Sequence, residues 1–409
     1  MLLTFFIAFN ARGQNKLSLG ECEARFLSKN LSLLAGQYNI DMARAQVIQA
    51  GLWDNPYISA ELNAVNPPGG KYFDVGSTGQ KAFAISQLIY LGGKKQKEVT
   101  LAKANAQLAE YDFKDLMRNL KYELHSSYFN LFYSRLSVAT IDRQLANLDS
   151  LISAYKVQVD KGNIPLKDVV RLQSLYLQLL NDRTDLMNSI HENQQKLNLL
   201  LASDVDIVPQ PMLAEINRYT TPRKLVSDSL QNIAIQNRPD ILSADASIAA
   251  AGYNLKWQKS LAVPDLTLGV SYDQRGGAFN NQANLTLGFP LVSWNRNQGN
   301  IKMAGYQLEQ TKVNKEYQVR RLHQDIEISI NKYNEDLKNY QAFNPSLADN
   351  FEQVYKGMYE NFIKRNISLI EFTDFMESYS SSLIQHDEIR KSLVDACEQI
   401  NYISGAPIF

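Results

Sequence analysis

The chain contains two copies of one pattern, and each copy joins a pair of short amphipathic strands to a helix far longer than a globular core requires. Four sequence markers recur in the same order when the chain is shifted by about 200 positions. The pairs are Leu27 to Leu33 with Ile235 to Ile241, Asn55-Pro56 with Val263-Pro264, Gly92-Gly93-Lys94 with Trp294-Asn295-Arg296, and Gly162-Asn163-Ile164 with Arg365-Asn366-Ile367. We interpret this recurrence as a tandem duplication, which predicts two structurally similar halves.

The domain boundaries follow from the repeat. We predict a signal-peptide remnant at 1–13, a first structural repeat at 14–202, a linker at 203–225 and a second repeat at 226–409. In each repeat a helix precedes a β-hairpin, at 56–91 or 263–292, and a long helical hairpin follows, at 94–202 or 294–404. The linker contains Pro209, Pro211 and Pro222, which predicts little regular structure there.

The first residues resemble a secretory signal without its basic beginning. A short apolar run, Leu2 to Phe9, precedes the small residues Ala11 and Gly13. A disordered apolar start is the alternative interpretation. No later stretch of about 18 uninterrupted apolar residues exists, so we expect no membrane-spanning helix. An exported protein of this kind is soluble in the periplasm, secreted or a β-barrel.

Composition excludes several functional classes. Lys and Arg number 42 against 42 Asp and Glu, so no electrostatic footprint for nucleic acid is present. Cys22 and Cys397 are too few for a disulfide framework, and whether they pair stays open. The four histidines lack metal-ligand spacing and are interpreted as surface or packing residues of helices, His125 among them. No nucleophile or acid–base pair has recognisable spacing, so we expect no enzyme, cofactor or bound metal.

Strict alternation identifies the strands. Apolar side chains occupy every second position from Ile58 to Ala64, and Ser59, Glu61 and Asn63 lie between them. The second copy alternates in the same way from Leu266 to Tyr272, and again near Leu285. A period of two predicts strands with one apolar and one polar face, and the Gly-rich connections predict two hairpins.

The helical part is marked by a sustained heptad pattern. From about Lys94 to Lys161 there is no proline, and apolar residues follow alternating spacings of three and four, which is typical of coiled-coil packing. This helix would be on the order of 100 Å long. The second copy extends from about Asn300 to Arg365, with a kink or local break expected at Pro345.

The strands have the length of membrane-crossing strands. About ten residues suffice for a tilted strand to cross a bilayer. Four strands cannot close on themselves, and open edges are not tolerated in lipid. Several copies must therefore supply one barrel, and two, three or four copies would all give an even strand number.

Three segments carry a resemblance to the TolC family of bacterial outer-membrane efflux proteins. They are Asn237-Arg238-Pro239-Asp240-Ile241, Pro264-Asp265-Leu266, and Phe289-Pro290-Leu291-Val292-Ser293-Trp294-Asn295-Arg296. The resemblance covers about Leu17 to Pro407. The first-half counterpart of the last segment, Ser86 to Lys94, is similar to the heavy-metal efflux branch.

The resemblance implies a mainly α fold with a membrane β-barrel portion, in the form of a TolC-like homotrimer with an outer-membrane β-barrel and a periplasmic α-helical barrel. The linker would lie in a mixed belt between them. Such a duct passively conducts metal ions, drugs or other small molecules to the exterior and catalyses nothing. Its implied partners are a periplasmic adaptor, an inner-membrane transporter and outer-membrane lipid.

The same resemblance implies a periplasmic aperture. Glu371 and Asp374, three apart on one helix face, match the acidic residues that constrict the entrance in this family. Three copies would form a ring of carboxylates that favours cations. Alternatively, these acidic residues complement a helix dipole. Asp168 and Arg171 hold the matching places in the first copy, where a salt bridge or hydrogen bond between neighbouring helices is expected.

The turns of the helical hairpins are the expected adaptor contacts: Gly162, Asn163, Ile164, Pro165, Arg365, Asn366, Ile367 and Ser368. The alternative function is a periplasmic coiled-coil adaptor or scaffold without its own barrel. Adaptors flank a single hairpin with other domains, whereas here the hairpin is duplicated behind an amphipathic β-hairpin. The sequence therefore favours the duct.

Overall fold

The computed structural model describes residues 15–67, 70–276, 278–342 and 345–409, so the predicted signal remnant at 1–13 lies outside the described residues. The elements follow in the order β1 (Asn15–Leu17), α1 (Leu19–Lys29), α2 (Leu31–Gly51), β2 (Tyr57–Leu62), β3 (Val65–Asn66), β4 (Lys71–Tyr72), β5 (Gln80–Ile89), α3 (Lys94–Asp160), α4 (Leu166–Leu200), β6 (Ile207–Pro209), α5 (Leu213–Thr220), α6 (Ser227–Asn237), α7 (Pro239–Leu261), β7 (Leu266–Arg275), β8 (Phe279–Gly288), α8 (Gln298–Ala342), α9 (Pro345–Ile363) and α10 (Leu369–Ser404). The order of helix, hairpin and long helical hairpin repeats as the duplication predicts.

The chain divides into two compact units. The first comprises the chain up to Gly36 with Lys114–Arg238 and Arg320–Phe409, and the second comprises Gln37–Phe113 with Pro239–Val319. Among the described residues, no helix combines the length and the apolarity needed to cross a membrane.

The second unit contains a four-stranded antiparallel sheet with the strand order β2-β5-β7-β8, and β3 and β4 form a separate antiparallel pair. The register aligns Ile58 with Ile85, Ile85 with Val270 and Val270 with Leu285 in one row across the sheet. All four side chains are exposed. The adjacent row is Ser59, Ala84, Ser271 and Asn284. The predicted alternation is confirmed, because the apolar positions of all four strands share one face.

Two sequence motifs meet where the sheet leads into the long helix. Gly92 and Gly93 both adopt φ 67°, which reverses the chain between β5 and α3. Lys94 then places its ammonium 2.6 Å from the carboxylate of Asp265, and the same carboxylate accepts the backbone N–H of Leu91 at 3.1 Å. The Gly-Gly-Lys and Pro-Asp-Leu segments therefore fasten β5 to the start of β7.

The first unit is built from long helices with a heptad-spaced core. Leu145, Leu148 and Ile152 of α3 pack with Leu172 of α4 and Met376 of α10 in one buried cluster. Helix α8 is described as far as Ala342 and α9 from Pro345 onward, so the kink expected at Pro345 stays a prediction. Residues 343 and 344 lie outside the described part of the chain.

Two details differ from the sequence predictions. The linker 203–225 is not irregular, because β6 pairs in parallel with β1 and α5 follows it. Its prolines lie at or beyond element ends, with Pro209 closing the strand, so they do not prevent either element. The first helical segment also breaks at Asn30, whose side chain accepts the N–H of Leu33 at 2.9 Å and donates to the carbonyl of Leu200 at 2.9 Å.

The two cysteines do not form a disulfide. Cys22 and Cys397 are both free and buried. The Cys397 thiol donates to the carbonyl of Tyr219 at 3.7 Å, and burial raises the pKa of the Cys22 thiol to about 12. Both thiols are therefore protonated packing groups at neutral pH.

Candidate gate at the turns of the helical hairpins

The two hairpin turns of the first unit share one geometry. Gly162 and Arg365, which occupy matching places in the repeats, adopt φ 75° and φ 60°. Each ends its helix with the same two backbone hydrogen bonds: Gly162 to Val159 at 2.8 Å and Asn163 to Gln158 at 2.9 Å, Arg365 to Phe362 at 3.0 Å and Asn366 to Asn361 at 2.8 Å. This is a Schellman cap, which normally uses glycine at the left-handed position. Arg365 holds that conformation despite its side chain.

The helices that follow the turns begin differently. Ser368 caps α10 by accepting the N–H of Glu371 at 3.2 Å, and Glu371 accepts the N–H of Ser368 at 2.8 Å. This capping box satisfies two backbone donors and lowers the pKa of Glu371 through the Ser368 backbone hydrogen bond. Pro165 precedes α4 without a side-chain cap. Glu371 therefore takes part in the cap of α10.

An ion pair joins the two repeats one turn further along. Arg171 of α4 donates to the carboxylate of Asp374 at 3.2 Å and to the Thr373 hydroxyl at 3.0 Å, both on α10. Arg171 and Asp374 hold matching positions in the two repeats. The expected contact between neighbouring helices thus forms, and Thr373 is a partner that sequence reasoning missed.

The pair is weak by itself. Side-chain exposure is 44% for Arg171 and 65% for Asp374, so water screens the charges. An exposed ion pair of this kind contributes about 0–1 kcal/mol. A contact of this strength can form and break without unfolding either helix, as a gate requires.

Aromatic side chains of α3, α9 and α10 stack on one another close to the start of α10. Phe362 of α9 stacks on Phe372 of α10 with centroids 4.2 Å apart and an interplanar angle of 9°. Tyr155 of α3 stacks on Phe362 at 6.0 Å. Burial and the charge of Asp168 raise the pKa of Tyr155. Arg171 bonds to α10. The aromatic residues fix where α10 begins.

The turn residues themselves are accessible. The exposed positions are Gly162, Asn163 and Pro165 in the first turn, and Arg365, Asn366 and Ser368 in the second. Ile164 and its counterpart Ile367 are half-buried. These two apolar side chains anchor the turns, while Asn163 and Asn366 bond back to Gln158 and Asn361 and stay exposed on the turn surface. This arrangement fits a contact surface at the hairpin ends.

A second charged group lies deeper in the first unit. The His125 ring lies between two carboxylates, with Nε2 2.6 Å from Glu23 and Nδ1 2.9 Å from Glu398, although the Nδ1–H does not point straight at its oxygen. Burial opposes the charge on His125, yet the two carboxylates raise its pKa, since a neutral ring has one N–H for two anions. The Tyr219 hydroxyl also donates to Glu398. His125 is thus a packing residue that carries a charge.

Comparison with known proteins agrees with this fold. The chain belongs to the outer membrane efflux protein family, whose family model matches residues 24–203 and 230–355. The cobalt-zinc-cadmium resistance protein CzcC of Cupriavidus metallidurans is 20% identical over 380 residues, which is 92% of this chain and 87% of the relative.

Solved channel structures share the architecture. The outer-membrane channel OprN superposes with a TM-score of 0.75 at 16% identity, covering 95% of this chain and 90% of that one. A crystal structure of CusC gives a TM-score of 0.73 at 17% identity, covering 95% and 92%. The chain is accordingly an outer-membrane exit duct of efflux pumps that extends into the periplasm. Membership of this family argues against the alternative of an adaptor. The family is one of transport proteins.

Proposed function

We propose that three copies of this chain form one passive duct that receives cations from a periplasmic adaptor and an inner-membrane transporter and releases them outside the cell. The observation that carries the proposal is the four-stranded sheet, whose strands β2 and β8 each have one unpaired edge within the described chain. Its exposed apolar face suits lipid, and unpaired edges in lipid demand partner strands. A ring of copies supplies those partners.

From the duplication we infer which residues face each other where two neighbouring copies pair. Within the chain, the second strand of the first repeat pairs with the first strand of the second repeat, with Ile85 opposite Val270. Ile85 moved forward by the shift between Gly92 and Trp294 gives Leu287 on β8, and Val270 moved back by the shift between Asn55 and Val263 gives Leu62 on β2. Both side chains are exposed and belong to the apolar face, so the pairing keeps apolar residues on one side where two copies meet.

Cation cargo is supported by two observations. The relative that covers most of this chain is named for cobalt, zinc and cadmium resistance. Glu371 and Asp374 are exposed on one side of α10 directly after the turn, and three copies would present six carboxylates to a narrow opening. Their mutual repulsion would draw cations toward it. Arg171 and Asp168 complete the proposed aperture, with the turn residues 162–165 and 365–368 as the adaptor contacts.

Disulfide cross-linking tests the ring. The double variant Leu62→Cys with Leu287→Cys should form covalent dimers and trimers on a non-reducing gel after mild oxidation. The matched control is Leu62→Cys with Thr286→Cys, because Thr286 belongs to the opposite face of the sheet. A chain that remains monomeric under oxidation, or cross-links equally in both variants, would contradict the proposed pairing of copies.

Planar-bilayer recordings test the aperture. Replacing Glu371 by Gln preserves the capping box, since glutamine serves at that position, and Asp374→Asn keeps the side-chain shape. The double variant should assemble normally yet lose cation selectivity and divalent-ion block from the periplasmic side. Glu360→Gln, an exposed position before the turn, is the control. Unchanged selectivity in the double variant would mean that both residues act only at the end of the helix and not on the conducted ions.

A further inference from the structure

Helices α3 and α10 meet along a line of polar side chains that we call the polar seam. Its four pairs are Gln144 with Ser380, Ser137 with Asp387, Ser126 with Asp395, and His125 with Glu398. The positions descend along α3 as they ascend along α10, so the seam runs antiparallel along the helix pair. Buried polar groups at such positions fix the register of a coiled coil at a cost in stability.

The carboxylates of the seam have unequal partners. Glu398 lies beside His125 and accepts the Tyr219 hydroxyl. In contrast, Asp387 accepts the Ser137 hydroxyl at 2.9 Å and Asp395 accepts the Ser126 hydroxyl at 3.3 Å. Within the described chain, no ion pair reaches Asp395. The nearest lysine along α10 pairs elsewhere, since Lys391 contacts Glu388 at 2.7 Å.

The surroundings of both aspartates are mixed in charge. The groups that interact electrostatically with Asp395 are Lys391 and Glu388 on α10, Lys332 on α8, and Ser126, Tyr122 and Tyr133 on α3. The groups that face Asp387 are His386 and Arg390 on α10, and Ser137 and Tyr133 on α3. In each case the charges act across longer distances than the single hydroxyl contact.

An ionised carboxylate held in this way is costly to bury. Both aspartates are half-buried, and one neutral donor replaces part of their hydration, so the protonated form is favoured. Burial raises the pKa of Asp395 to about 6 and raises the pKa of Asp387 above its ordinary value, against the opposing Ser137 hydrogen bond. Protonation of these aspartates therefore stabilises the packing of α10 on α3. This stabilisation is complete below the ordinary Asp pKa near 4 and is lost as the pH rises through about 6.

The opposite end of the seam stays charged over that interval. The His125 hydrogen bond lowers the pKa of Glu23 to about 2, and the two carboxylates raise the pKa of His125. Glu398 also has a lowered pKa, because the His125 and Tyr219 contacts outweigh its burial. Between about pH 4.5 and 6.5 this end is a fixed ionic anchor, while the aspartate positions change charge. His386, 3.8 Å from Asp387, also titrates below its ordinary range, because burial lowers its pKa.

We propose that the polar seam is a proton-operated latch of the channel, in which protonation of Asp395 and Asp387 holds α10 against α3. Helix α10 begins with Ser368, Glu371 and Asp374, so holding it against α3 keeps the Arg171–Asp374 contact formed. The latch rests on the proposed function, because it acts on the proposed aperture. Mild acid on the periplasmic side closes the duct, and neutral pH releases it.

Bilayer recordings at pH 5.0 and pH 7.5 test the latch. The wild-type open probability should fall on acidification, by at most about tenfold per pH unit for each carboxyl that titrates. Asp395→Asn imitates the protonated group, so its open probability should be low at both pH values. Asp149→Asn, an exposed aspartate on α3, is the matched control and should respond as the wild type does.

A second variant keeps the test decisive if Asp395→Asn does not fold. Ser126→Ala removes the hydroxyl that favours the ionised form, so the midpoint of the pH response should move to higher pH. A full wild-type pH response in Asp395→Asn, or an unmoved midpoint in Ser126→Ala, would overturn the latch. A wild type that conducts without any pH response would overturn the latch alone, whereas a wild type that forms no pore would contradict the proposed function.

Discussion

Substituting the glycine that ends α10 should reveal how tightly the last helix is joined to its neighbour. Gly405 adopts φ 66° and ψ 14°, in the left-handed region. A Cβ added there would lie 3.1 Å from the N, Cα and Cγ atoms of Arg238. Gly162 has the same backbone requirement at φ 75°, but no atom lies within 4 Å of its added Cβ. Gly162→Ala therefore isolates backbone strain, and Gly405→Ala adds a steric conflict.

The two variants should lose different amounts of free energy of unfolding. Left-handed backbone costs an alanine about 1–2 kcal/mol, which is the whole expected loss for Gly162→Ala. In Gly405→Ala the backbone of Arg238 must also move, and it is held by its N–H bond to Ala234 at 2.9 Å. Displacing packed groups costs about 1–3 kcal/mol more. The expected loss for Gly405→Ala is therefore about 2–5 kcal/mol.

Urea unfolding in detergent, followed by the far-ultraviolet circular dichroism of the helices at one fixed protein concentration, measures both variants. The natural counterpart of Gly405 in the first repeat is Ala202, which adopts φ 45°. Ala202→Gly should therefore raise stability by about 1 kcal/mol. Equal losses for Gly405→Ala and Gly162→Ala would refute the assignment of a steric conflict with Arg238.

Three further outcomes follow from the contacts described. Arg365→Gly should raise the thermal midpoint, because glycine removes about 1 kcal/mol of left-handed strain at the second turn. His125→Gln should cost about 3–5 kcal/mol at pH 6 by removing the cation that lies between Glu23 and the buried Glu398; because the pKa of His125 is raised, this difference should disappear in alkaline urea titrations as the pH passes that pKa. Lys94→Met should lower stability by about 2 kcal/mol, and adding Asp265→Asn should restore part of the loss in a double-mutant cycle.

The repeated elements could be predicted because their signals are local. Alternation from Ile58 onward placed the apolar residues on one face of a strand, and the register confirms it. The heptad pattern predicted α3 from about Lys94 to Lys161, and the helix covers Lys94–Asp160. Pro345 predicts a break in the second long helix, beside residues 343 and 344, which lie outside the described part of the chain. In each case a period or a proline restricts the backbone before any distant residue is considered.

What could not be predicted depends on partners far apart in the chain. Nothing near His125 shows that Glu23 and Glu398 will lie on either side of it. Thr373 has the sequence context of an ordinary helix residue, although Arg171 lies beside it. Asn30 breaks the first helix because its side chain reaches Leu200. Such contacts are decided by how helices pack, and a single polar residue on a heptad face carries no sign of its partner.

The unpaired edges of β2 and β8 make the fate of one subunit depend on its neighbours. In the proposed ring every junction joins the β2 of one copy to the β8 of another, so a subunit with a damaged edge still occupies a place that a healthy subunit needs. The odd-numbered residues of β2 direct their N–H groups toward β5, as Asn63 does toward Gln80, so the N–H of Ala60 faces the free edge. A proline at Ala60 would remove this donor and spoil rings that also contain intact copies. Such an allele would be dominant in a cell that also carries the normal gene, whereas loss of the whole chain would be recessive.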